Sequence, residues 1–199
     1  MAFFTIKRPI YKYIVSKTGR KGWLPDGFLL PGTEGAPGEG DGAIMYGAGP
    51  GEVSDEAFEL FMRMLRGICD DPKRSKDDEF KRYLKENHVL GLIDRLCVEI
   101  YSLRRGIDLM NLIDVAYGWA VSSDDMNLVK LGISLMGMLN LDERDDCREA
   151  IITLGKYDEF TLYSLYAISG WKDADVIAAG YAEHLNGPGK IHARLWLEP

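Results

Sequence analysis

Between Asp125 and Asp142 the chain reads DMNLVKLGISLMGMLNLD, and Lys130 is the only charged side chain inside those two aspartates. At helical spacing Leu128, Leu131, Leu135, Met138 and Leu139 fill one face, while Val129, Ile133 and Met136 fill another. A helix that is apolar on more than one face needs neighbours on more than one side. The stretch is also shorter and more polar than the roughly 20 apolar residues of a membrane span. The expectation is the buried middle helix of an all-helical stack.

The flanking text carries narrower stripes of the same period. Ser54-Asp55-Glu56 offers a hydroxyl cap with two carboxylates in the first turn, followed by Phe58, Phe61, Met62 and Leu65. A charged connector precedes Phe80, Tyr83 and Leu84, and a helical period continues past a weak point at Asn87-His88 to about Arg105. Leu109, Leu112, Ile113, Ala116 and Ala120 form the next stripe, and Ser122-Ser123-Asp124 is read as a polar corner and cap for the buried helix. Asp142 is read as opening another helix with Cys147, Ile151 and Leu154 turned inward. Further helices are expected around Phe160 to Ile168 and Val176 to Leu185, with Asn186-Gly187-Pro188-Gly189 as a stop.

The first 53 residues read differently. Residues 2 to 16 are rich in β-branched and aromatic types divided by Pro9, which suggests one or two short edge strands. From Lys17 to Glu52 glycine and proline are too dense for a helix, so an irregular segment that wraps the body or stays mobile is expected, with Ile44-Met45-Tyr46 as a further short strand. The organisation predicted is therefore a Gly/Pro-rich lead-in over 1–53 and an α-helical, repeat-like domain over 54–199. Antiparallel helical hairpins stacked as a short solenoid describe that domain, because the predicted helices are joined by short corners. SSDDMNLVKLG and GWKDADVIAAG align at an offset of 48, close to the period of two-helix repeats.

Charge narrows the partners. The net charge is -7, yet residues 1 to 22 hold six basic side chains and no acid, and residues 54 to 199 hold 18 basic against 26 acidic ones. A basic arm leads an acidic body, and its docking onto that body needs the fewest assumptions. Nucleic acid is disfavoured as a partner, since binding a phosphate backbone draws mainly on Lys and Arg. Cys69, Cys97 and Cys147 are far apart in apolar helical text, so they are read as small buried hydrophobes in a reducing, cytoplasmic setting. No secretory leader is evident in the opening residues.

The C-terminal text, a corner at Trp171, a helix, and then NGPGKIHARLWLEP, resembles the ending of a group of uncharacterised bacterial HEAT-like helical-repeat proteins. The matching positions are Gly189, Ile191, His192, Ala193, Leu197, Glu198 and Pro199, and residues 108 to 199 carry the likeness. The resemblance implies a helical-repeat fold and no particular activity.

No catalytic pattern survives inspection. GAGPGEVS lacks the Lys-Ser/Thr ending of a phosphate loop and stands among acids, Gly132-Ile133-Ser134-Leu135-Met136 fails as a nucleophile elbow, and the three histidines lack metal-ligand spacing. Neither metal nor cofactor is expected. The aromatic residues of the second half lie near helix ends, where rings anchor interfaces. Trp119, Trp171, His192 and Trp196 are the candidate binding residues. The leading expectation is a non-enzymatic module that holds another protein or a peptide. One rival is an enzyme or small-ligand binder with a pocket between the lead-in and the helices, using His192 or acids such as Asp41. The other is a nucleic-acid-binding helical repeat, which the charge disfavours.

Overall fold

The structure is a computed structural model that describes residues 8–20, 22–33, 35–47, 53–71, 73, 78–103, 106–141 and 143–198, side chains apart at 100–103. Every regular element among the described residues is helical. In chain order these are α1 (Ile10–Lys17), α2 (Glu39–Tyr46), α3 (Asp55–Asp70), α4 (Asp78–Glu86), α5 (Val89–Leu103) and α6 (Leu109–Ser122). They continue with α7 (Met126–Gly137), α8 (Asp145–Leu154), α9 (Asp158–Ile168), α10 (Ala174–His184) and α11 (Pro188–Leu197). No helix among them is long and apolar enough to cross a membrane.

The middle helix is where the pattern places it. α7 packs against α6, α9, α4 and α5, and every residue from Leu128 to Met136 is buried, Lys130 included. Gly132 makes the approach of α6 possible, since a Cβ there would sit 2.5 Å from the Ala116 carbonyl oxygen. The helix starts on Asp125, whose Oδ1 accepts from the backbone N–H groups of Asn127 and Leu128 at 2.9 and 3.1 Å. The cap is thus one residue beyond the corner expected at Ser122 to Asp124. Ser54 does cap α3, accepting from the Ala57 N–H at 3.2 Å.

The lead-in corrects the expected strands. Ile10 to Lys17 form a helix, and Ile44 to Tyr46 are the last turn of another. Propensity for β structure yields here to packing, because Ile10 and Ile14, one turn apart, are both fully buried where α1 lies on α6 and α8. Pro9 serves as the residue before the helix rather than as a strand breaker, and the Ile10 N–H donates to the Ser123 carbonyl at 2.9 Å. The described part of the basic arm is therefore docked on the body. Residues 1–7, the connector at 74–77 and Asp142 lie outside the described residues, so the rest of the strand and the expected helix start at Asp142 do too. α8 begins at Asp145.

Two other differences are local. The long helix expected up to Arg105 is broken at His88, whose φ of 35° ends α4 and starts α5 afresh. Cys69 and Cys147 are buried, with burial pushing each thiol up to about 11, but Cys97 faces solvent on α5 beside Val98 rather than sitting in the core.

Beyond α1 the lead-in runs as a strap over α10 and the start of α9. Trp23 stacks on His184 with 4.3 Å between centroids, and Tyr157 binds the Leu30 N–H and the Thr33 hydroxyl, each at 3.2 Å. The strap then turns through Gly38 into α2. Gly38 has φ of 79°, and a Cβ there would lie 2.6 Å from the Asp158 carbonyl oxygen, so both conformation and space call for glycine.

Candidate functional site

Lys130 has nowhere to snorkel, because α7 is enclosed along its whole middle. A buried ammonium needs partners, and two carboxylates supply them. Its Nζ lies 2.6 Å from Asp41 Oδ2 of α2 and 2.5 Å from Glu159 Oε1 of α9, with side chains only 8, 11 and 17% exposed for Lys130, Asp41 and Glu159. Burial pulls the ammonium's pKa down, but Glu159 and Asp41 more than reverse this and hold it above its ordinary value. Lys130 therefore stays charged. The other Glu159 oxygen accepts from the Gly38 N–H at 2.7 Å, so the acid grips both α7 and the entry to α2.

With one cation and two anions the cluster carries a net charge of -1, and two neutral polar groups border it. Nζ stands 5.5 Å from the centroid of the Tyr163 ring. The Tyr163 hydroxyl is buried beside Asp41 without meeting hydrogen-bond geometry, and burial together with that negative charge raises the phenol well above its usual pKa. His192 of α11 closes the other side. Its Nδ1 lies 3.0 Å from the Tyr46 hydroxyl, and its Nε2 is buried without a hydrogen-bond partner. Burial lowers the imidazole's pKa, with Asp41 acting in the opposite direction, so the ring is neutral at pH 7.

The His192 ring also forms one wall of a cavity of about 240 Å³. Met45 and Tyr46 of α2 face Leu162, Leu165 and Tyr166 of α9 across it, and Leu195 and Trp196 of α11 complete the lining. Four of these side chains remain open to solvent, Met45 at 37%, Tyr46 at 55%, Tyr166 at 41% and Leu195 at 44%. A largely apolar concavity with a few polar groups at its wall and rim binds shape first and uses those groups for orientation.

α11 is aligned for this by Asp158, one residue before the acid that meets Lys130. Asp158 Oδ1 accepts from the Gly189 N–H at 2.9 Å, in the first turn of α11. Burial raises the Asp158 pKa, and backbone N–H groups of Gly189 and Gly187 counter it. Adjacent acids on α9 thus serve opposite directions, one toward α11 and the other toward α7.

Of the residues singled out in the sequence, His192 and Trp196 meet at this cavity. Trp119 is buried on α6 against Phe80, with 5.5 Å between ring centroids, and Trp171 lies under the Arg148 guanidinium at 3.8 Å from its ring. Asp41, one of the acids considered for a small-ligand site, is in the same cluster as His192. Lys130 and Glu159 escaped notice. The available signal was a lone lysine in an otherwise apolar helix, and the Lys156-Tyr157-Asp158 corner hid the acid beside it. Among the described residues no three His, Cys, Asp or Glu side chains converge as metal ligands. Compared with family models, curated proteins and solved structures, the chain finds no match.

Proposed function

We propose that this protein is a non-enzymatic binding module, a short HEAT-like stack of helices that captures another protein or a peptide by one apolar anchor side chain. The cavity between α2, α9 and α11 carries this reading. Its volume of about 240 Å³ lies below the roughly 300–1,000 Å³ of small-molecule sites, yet it suits one inserted side chain. Around it Met45, Tyr46, Tyr166 and Leu195 leave apolar surface in water, and interface hot spots are pockets of this kind ringed by surface that a partner covers. Ile191, one turn before Leu195 on the same face of α11, extends the patch. Free thiols at Cys69, Cys97 and Cys147 suit a cytoplasmic setting.

Selection from a displayed random peptide library against the intact chain tests the proposal. The expected result is enrichment of peptides with a shared aromatic or long aliphatic residue, their binding weakened at least about tenfold by Leu195→Glu and left intact by Val176→Glu, an exposed control on α10. Failure to enrich any peptide, or enriched peptides indifferent to Leu195→Glu, would overturn it.

One observation favours a second reading. Asp41 acts on the charge of His192, and Tyr46 meets the imidazole at 3.0 Å on the rim of the cavity, so a polarised ring stands beside the place of a compact ligand. A small-ligand enzyme of this design would lose turnover on His192→Gln, whereas peptide capture by the same variant would survive.

A further inference from the structure

Two of the side chains that line the cavity, Met45 and Tyr46, stand on α2, and α2 has little of its own to keep it helical. It is eight residues long with glycine at two of them, whereas isolated helices shorter than about 12 residues are marginal even in alanine-rich text. α2 is therefore a helix because it is docked.

Its docking is uneven along its length. Toward the C-terminal end, Tyr46 meets His192 at 3.0 Å and Met45 Sδ accepts from the Tyr166 hydroxyl at 3.8 Å, but both α2 side chains are partly exposed. Ile44 packs on the core without being buried. Asp41 is the single buried residue of the helix, and its partner Lys130 belongs to α7, in the enclosed middle of the core. Asp41 and Met45 are four residues apart, so the ion pair stands one turn before the cavity wall. Neither Asp41 nor Lys130 lines the cavity itself.

We propose, on the footing of capture at this cavity, that Asp41 and Lys130 are positioning residues for it. The ion pair keeps α2 folded on the body, and α2 in turn holds Met45 and Tyr46 opposite Leu165 and Leu195. Apparent affinity then falls with the fraction of molecules in which α2 is docked. The link runs both ways, so an occupant of the cavity steadies α2. Capture thus depends on a charge in the core that the occupant never touches.

The probe is N-acetyl-L-phenylalaninamide, titrated into the full chain and followed through the methyl resonances of Met45 and Leu195, with hydrogen exchange of α2 measured in parallel. The unaltered chain should give a saturable shift and slower exchange in α2. Asp41→Lys sets two cations against one acid and should weaken the probe at least about tenfold, with α2 losing protection while α7 keeps its own. Exchanging the charges, Asp41→Lys together with Lys130→Asp, restores the pairing and should return the affinity to within about threefold of the unaltered chain. Asp175→Lys, the same charge change at an exposed position of α10, should have no effect. If Asp41→Lys fails to fold, Asp41→Asn takes its place, with a loss of about threefold. An affinity untouched by the substitution at Asp41, or a loss that the exchanged pair does not repair, would overturn the proposal and leave capture at the cavity standing. No saturable shift with the unaltered chain would remove both.

Discussion

Two helices meet at Lys130 and are held by opposite means. α7 is enclosed by four other helices and buries nine consecutive residues, so its position rests on many small apolar contacts. α2 buries only Asp41, and it is fastened by an ion pair, the Gly38 N–H bond to Glu159 and the Tyr46 contact with His192. Packing of the first kind is insensitive to pH and fails all at once. Fastening of the second kind depends on protonation and can open locally while the core stays closed.

The largest effect should come from the residue that belongs to both. Lys130→Met leaves Asp41 and Glu159 buried without a counter-charge, and removing one partner of a buried pair costs about 3 to 5 kcal/mol. Chemical denaturation should show this, and adding Asp41→Asn and Glu159→Gln should recover much of it. A loss under about 1 kcal/mol would mean that the cluster is solvated.

Leu135→Ala, within α7 and fully buried, should cost about 2 to 5 kcal/mol and should speed hydrogen exchange throughout the helices around it. Asp41→Asn removes one carboxylate but leaves the Lys130–Glu159 pair, so a loss of about 1 to 3 kcal/mol is expected. Exchange should accelerate in α2 and hardly change in α7. Equal acceleration in both would erase the distinction between them.

The smallest effect is a pH dependence. Burial holds His192 below its ordinary pKa, so the unfolded chain takes up the proton first as pH falls through about 6.5. The contribution of His192 to stability is fully present above that value and is lost as the pH drops toward the folded-state pKa. His192→Gln should flatten this part of the stability profile, and an unchanged slope would place the acid sensitivity elsewhere.

What the sequence made legible follows the same division. α7 was readable because a run with Leu, Ile, Val and Met on every face has no solvent-facing option, and Ser54 was readable as a cap because its partner lies three residues away. Both signals are local. α1 and α2 were not readable, since their β-branched or glycine-rich text favours other structures, and only contacts with α6, α8 and α9 make them helices. The site was half legible. His192 and Trp196 drew attention as rings beside a turn, but Lys130, Asp41 and Glu159 gain their meaning only once folding brings three distant parts of the chain together.

That meeting has a consequence for the protein's inheritance. One lysine is shared by two acids in a largely buried space, so none of the three positions is free to drift alone. Related chains should keep Asp41, Lys130 and Glu159 as a set or exchange them as a set, and a relative with an aliphatic residue at 130 should already have neutral side chains at 41 and 159.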